Sequence, residues 1–183
     1  VVAVNGDTLG LAWVSGPSGA RFIQFAGLSK DGATEVAPPQ VAAEGASLPT
    51  SIHSTSSGWA VVYGTSVDEA MCKVWVLHLA ANGVPVSPAH ELFDGSTTAV
   101  FPRAAWDGEA LAVVWQENST GDVVFSLAGL DGAATVPATV GLTEEGGLLP
   151  NVFWVGDRYT ITWQDGSSET GYIQRLATSA ACE

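Results

Sequence analysis

The sequence predicts an all-β fold built from four repeats of one antiparallel sheet. Three observations carry the prediction. First, the heptapeptide LAVVWQE at 111–117 returns as YTITWQD at 159–165, and more loosely as WAVVYGT at 59–65 and LGLAWVS at 9–15. Second, its aromatic anchors Trp13, Tyr63, Trp115 and Trp163 stand 50, 52 and 48 residues apart, which is a repeat-array period. Third, no stretch of twelve residues keeps a 3.6-residue period, while β-branched residues and Asp-Gly or Asn-Gly turn pairs recur.

The elements follow in order within each repeat, with repeat boundaries at 1–47, 48–99, 100–148 and 149–183. A first strand ends at Gly6, Gly58, Gly108 or Gly156, where a tight turn suits glycine. The third repeat shows the full set. Strand one is RAAW (103–106), turned by Asp107 and Gly108, and strand two is ALAVVWQ (110–116). After the loop ENSTGD comes strand three, VVFSLAG (123–129), and then strand four, ATVPATVGL (134–142). Strand two alternates large and small residues: Leu111, Val113 and Trp115 against Ala112 and Val114, and Tyr159, Ile161 and Trp163 against Thr160 and Thr162. Trp59, Val61 and Tyr63 alternate with Ala60 and Val62, and Leu9, Leu11 and Trp13 with Gly10 and Ala12. A sheet with one bulky face and one small apolar face is expected to be covered on both sides, bumps meeting hollows. Strand four carries proline in each complete repeat (Pro38 and Pro39, Pro85 and Pro88, Pro137), so it belongs at a sheet edge. The fourth repeat has three strands and the tail LATSAACE.

Four-stranded antiparallel units stacked face to face with a protected outer edge are the blades of a β-propeller. Pro49, Pro102 and Pro150 precede the anchors by 14, 13 and 13 positions. Together with the G…[AV]-V-W-[QE] strand, they make the chain resemble the secreted bacterial β-propeller repeat proteins along its whole length. The resemblance implies four four-stranded blades, the last incomplete, forming a closed four-bladed ring or part of a larger propeller. It implies no single activity, because propellers host lectins, hydrolases and scaffolds. No WD dipeptide closes each repeat, and no sialidase-type Asp box is present.

Composition narrows the partners. The chain has 183 residues and a formal net charge of −13, and Lys30 and Lys73 are its only lysines. Such a body is repelled by phosphate backbones and anionic lipid surfaces, which excludes nucleic acid and membrane-surface binding. No apolar run is long enough to span a bilayer, so membrane insertion is not expected. With no starting Met, the chain reads as a mature or trimmed exported protein, extracellular, periplasmic or at the cell surface. Cys72 and Cys182 lack metal-ligand spacing, and in an exported protein the default is a disulfide. Their repeats sit opposite each other in a four-bladed ring, whereas a bridge needs Cα atoms within about 7 Å.

Candidate sites gather at the exits of strand two. Trp115, Gln116 and Glu117 and their counterparts Trp163, Gln164 and Asp165 are candidate ligand-binding residues, since an indole stacks on a sugar while amides bond its hydroxyls. The competing reading has each Trp fill the space between blades, and the repeat pattern favours it. The loops on this face carry Glu44, Asp68, Glu69, Asp94, Glu117, Asp122, Glu144, Glu145, Asp165 and Glu169. They suggest calcium or a basic partner, but none shows the alternating carboxylates of hard-cation loops, and no cofactor is expected. No nucleophile elbow, phosphate loop or dinucleotide fingerprint occurs, so no catalytic residue is assigned. The reading is a non-catalytic binding or scaffold module presenting its face loops to a protein or neutral ligand. A glycan-binding lectin and a glycoside hydrolase or lyase fragment are the alternatives. A homodimer or a larger assembly is the expected form if the ring does not close within one chain.

Overall fold

The computed structural model describes residues 1–17, 20–45, 48–68, 71–93, 99–117, 119–129, 131, 134–140, 146–165 and 173–180. At 48–50, 66–68, 71–72, 93, 134–140, 165 and 173–180 the description is of the backbone alone. The first sheet holds β1 (Val2–Asn5), β2 (Thr8–Ser15), β3 (Phe22–Ser29) and β4 (Glu35–Glu44). The second holds β5 (Leu48–Thr55), β6 (Gly58–Asp68), β7 (Met71–Ala80) and β8 (His90–Phe93). The third holds β9 (Ala99–Trp106), β10 (Leu111–Glu117), β11 (Val123–Ala128) and β12 (Ala134–Val140). The fourth holds β13 (Gly147–Val155), β14 (Arg158–Asp165) and β15 (Ile173–Ala180). Each sheet is an antiparallel meander in chain order, with β4 and β12 carrying their prolines at the edges, whereas Pro85 and Pro88 of the second sheet precede its edge strand β8 instead of lying in it.

The turns bear out their glycines. At Gly58 φ is +149°, and a Cβ there would collide with the backbone carbonyl of Leu79, so no other residue fits. Pro85 makes an isolated bridge to Leu79 ahead of β8, which is four residues long, so the fourth strand of this sheet is held short and blunt.

The pleat predicted from strand two organises the whole stack. Trp59, Val61 and Tyr63 face the first sheet and join a core with Ala12, Ile23 and Phe25. Ala60 and Val62, on the reverse of the same strand, join Leu111, Val113 and Trp115 of the third sheet. Ala112 and Val114 then meet Tyr159, Ile161 and Trp163 of the fourth. The first strands also pack in succession, β1 on β5, β5 on β9 and β9 on β13, as they must where blades converge on an axis. Among the described residues, no comparable packing joins the fourth sheet back to the first. The fold is therefore a row of propeller blades, all or part of a propeller.

Two boundaries differ from the sequence reading. The first strand of the third sheet starts at Ala99 rather than 103, and that of the fourth sheet at Gly147. Both run through Pro102 and Pro150 because a bulge absorbs each proline. Cys72 pairs with Ser66 across β6 and β7, and Cys182 lies outside the described residues.

Candidate functional site

The candidate site is the rim formed where strand two of a blade ends beside the beginning of strand one. In the third sheet Gln116 pairs with Val100 and Glu117 with Ala99. In the fourth, Gln164 pairs with Leu148 and Asp165 with Gly147. In both sheets the register slips just inside this pairing, opposite Trp115 and Trp163. The second sheet slips at the equivalent place, between Pro49 and Ser51.

The slip has a backbone cause. Phe101 has φ 54° and Leu149 has φ 50°, and they are the non-glycine residues with positive φ among those described. Each directly precedes a proline, which ordinarily holds its neighbour in the extended region. A non-glycine residue held in the left-handed region costs of the order of 1 kcal/mol or more, and such strain concentrates at binding sites. Burial is only partial at both, since Phe101 is 46 % and Leu149 50 % exposed. The bulge thus turns an apolar side chain outward at the same position in two consecutive blades.

The residues expected to bind ligand divide differently. Trp115 is 0 % and Trp163 5 % exposed, and each ring fills the joint with the preceding sheet. Neither ring offers a face for a sugar to stack on. Gln116 is buried on the side of the fourth sheet, with Oε1 making no hydrogen bond among the described residues. Glu117 is buried too. Its carboxylate accepts from Ser119 Oγ at 2.6 Å and Thr120 Oγ1 at 3.1 Å, and its backbone bonds Asp122 and Gly121, so it organises the following loop. Gln164 is half-buried, and Asp165 is described in its backbone only. Of the other acids expected at this rim, Glu44 is exposed and Asp122 half-buried. Asp68 is described in its backbone only, and Glu69, Asp94, Glu144, Glu145 and Glu169 lie outside the described residues. Among the described residues, no three His, Cys, Asp or Glu side chains gather closely enough to hold a metal ion.

Further polar groups line the inner seam between the second and third sheets. Ser51 and His53 of β5 share the face that meets β9. His53 bonds the backbone of Ala104, while its Nε2 and Ser51 Oγ are buried without a hydrogen bond among the described residues. Burial holds the His53 imidazole below its usual value, so it is neutral. In the second sheet, burial pushes the Tyr63 phenol up to about 12 and Trp75 stacks on its ring, which marks Tyr63 as core.

Phe101 and Leu149 escaped the sequence reading. The signal was present as an apolar residue before each in-phase proline, Phe101-Pro102 and Leu149-Pro150, but only the backbone shows which way it points.

No family model matches the chain, and no curated protein does. Solved structures do. An endo-arabinase from Bacteroides thetaiotaomicron is 14 % identical with TM-score 0.58, the match covering 100 % of this chain and 74 % of that one. An α-L-arabinofuranosidase from Podospora anserina, solved in complex with cellotriose, is 10 % identical with TM-score 0.56, covering 98 % and 63 %. A GH43 endo-arabinanase from Bacillus licheniformis is 12 % identical with TM-score 0.54, covering 98 % and 70 %. The chain therefore spans roughly two thirds to three quarters of the length of these enzymes. At such identities the likeness is one of fold, and it places the chain among β-propeller-like structures.

Proposed function

We propose that the chain is part of an exported carbohydrate-active propeller of the glycoside-hydrolase type, with arabinan as the first glycan to try. The observation that carries this reading is the repeated bulge that holds Phe101 and Leu149 outward beside the Gln116 and Gln164 strand ends. An apolar side chain fixed at a rim can lie on the apolar face of a sugar ring, while the half-buried Gln164 amide beside Leu149 bonds hydroxyls. The shared fold with arabinanases and an arabinofuranosidase supports a glycan over a protein ligand.

A second reading, a glycan-binding module without catalysis, is favoured by one specific feature. The four first strands, β1, β5, β9 and β13, contain no Asp or Glu. Glycoside hydrolysis needs two carboxylates, about 5–5.5 Å or about 6.5–9.5 Å apart. The buried rim carboxylate of Glu117 is already engaged by Ser119 and Thr120. Reducing-sugar release from arabinan, together with retardation in an arabinan-containing native gel, separates the readings. Release supports the hydrolase. Retardation without release, weakened at least several-fold in Phe101→Ala and Leu149→Ala, supports the binding module. Neither release nor retardation, across arabinan and xylan, sinks both.

A further inference from the structure

Cations are scarce in this chain, which has 6 Lys and Arg against 19 Asp and Glu. Among the described side chains, Lys73 and Arg103 are the half-buried ones of that kind. Lys73 pairs with Glu91 at 2.8 Å. Arg103 meets no carboxylate among the described residues. Its hydrogen bond there runs from Nη1 to the carbonyl of Pro102 at 2.9 Å, which folds the guanidinium back along the bulge that turns Phe101 outward. A guanidinium has further N–H donors, and among the described residues those of Arg103 are not engaged. In cross-strand register Arg103 stands beside Val114, on the face of the third sheet that meets the fourth, where β9 packs on β13. The first strands β1, β5, β9 and β13 hold no Asp or Glu, and Arg103 is their one Lys or Arg. An apolar side chain turned outward and an unmatched, half-buried cation thus stand two residues apart on one inner strand.

We propose that Arg103 recognises the carboxylate of a uronic acid, so that the glycan taken at this rim is an acidic one. The proposal rests on the glycan reading of the Phe101 rim and adds the charge of the sugar. A uronic acid matches both groups at once. The apolar face of its ring lies on Phe101, and its carboxylate accepts charge-assisted hydrogen bonds from the planar guanidinium fork. A neutral sugar offers that fork only hydroxyl oxygens, which make weaker bonds than an ionised acceptor. The net charge of −13 opposes any anion at long range. That repulsion is largely screened beyond about 8 Å at physiological ionic strength, whereas a partly buried contact is screened much less. Recognition therefore comes from contact with Arg103 and not from steering by the whole chain.

Titration calorimetry of the full chain with trigalacturonate and with its methyl ester tests it, because the two probes share their rings and differ in charge. The parent chain should bind the acid about tenfold or more tighter than the ester, the scale of a hydrogen bond to a charged group. Arg103→Gln should bring the acid down to the affinity of the ester, and Arg103→Lys should keep part of the preference. Circular dichroism of each variant checks that the sheets are retained. Equal affinities in the parent chain, or a preference that survives in Arg103→Gln, would overturn the proposal. Arabinan retardation on the same preparation keeps the two readings apart. Arabinan bound with neither uronate probe bound leaves the glycan reading standing and sinks this one. No binding to arabinan or to either probe sinks both.

Discussion

Strand β10 is buried at every position from Leu111 to Glu117, whereas β2, its counterpart in the first sheet, is fully buried only at Gly10 and Ala12. In β14 of the fourth sheet the pattern reverses, with Tyr159, Ile161 and Trp163 buried and Thr160 and Thr162 half-exposed. The three strands share one alternation of large and small residues, so the pleat pattern does not explain the difference. Neighbours do. Among the described residues, the third sheet has a blade on each side, the first has one only on its small face, and the fourth has one only on its bulky face. Equivalent pleat positions therefore carry unequal shares of stability.

The largest expected effect sharpens that contrast directly. Trp115→Ala should destabilise by about 3–5 kcal/mol, since it empties a site closed on both sides. Trp13→Ala removes an equivalent indole from an open face and should cost well under half of that in dilute protein, where chains are separate. Urea unfolding followed by circular dichroism reads both. Equal losses would mean that the first sheet is covered within one chain.

A second pair compares two glycines of the first sheet. Gly10 lies under Trp59, and a Cβ there would come 2.7, 2.7 and 2.9 Å from three carbons of its ring, so Gly10→Ala forces the indole aside. The expected loss is about 1–3 kcal/mol. Gly6 has φ +59° with open space around it, so Gly6→Ala meets only backbone strain, of the order of 1 kcal/mol. A Gly10→Ala protein with unchanged unfolding midpoint would break the bump-and-hollow account.

These contrasts show what could be read from sequence and what could not. The alternation of large and small residues on strand two is visible in the sequence, and so are the four-strand unit, the edge prolines of the first and third sheets and the lack of any twelve-residue stretch with a helical period. Alternation reports that both faces are apolar. It does not report which neighbour each face meets, because the sense of stacking is set by the course of the chain between sheets. The rim was less legible. Trp115 and Trp163 have the composition of a sugar platform, and composition is blind to whether an indole is spent on packing. Phe101 and Leu149 were hidden for the converse reason, since an apolar residue before a proline reads as an ordinary strand residue until its φ is known.

The joint between the second and third sheets differs from the others in holding His53. Its folded-state value is lowered by burial, so as pH falls the unfolded chain takes up the proton first. Stability should therefore be level above the ordinary imidazole value of about 6.5, decline below it, and level off once pH passes the lowered folded-state value. His78, also lowered by burial and bonded to Ser57, adds a slope of the same sign. Thermal unfolding midpoints between pH 7.5 and 5 should show this decline, and His53→Gln should make it shallower without removing it. A slope identical in the variant would assign the whole effect to other groups.

The smallest effects separate two neighbouring residues at the joint of the third and fourth sheets. The Tyr159 hydroxyl donates to the carbonyl of Ala110 at 2.9 Å, reaching from β14 to the turn after β9. Burial, with the Asp107 carboxylate of that turn nearby, raises the Tyr159 phenol well above its ordinary value. Tyr159→Phe keeps the ring, with its edge contact to Trp154, and deletes only the hydroxyl, so it should cost about 1 kcal/mol. Next door, Arg158 pairs with Asp157 at 2.8 Å in full contact with solvent. An exposed pair between adjacent residues constrains little that the turn does not already constrain, so Arg158→Ala should leave the unfolding midpoint unchanged. If the two substitutions cost the same, the cross-sheet hydroxyl would contribute no more than a surface charge, and the joint would be held by Tyr159, Ile161 and Trp163 through packing alone.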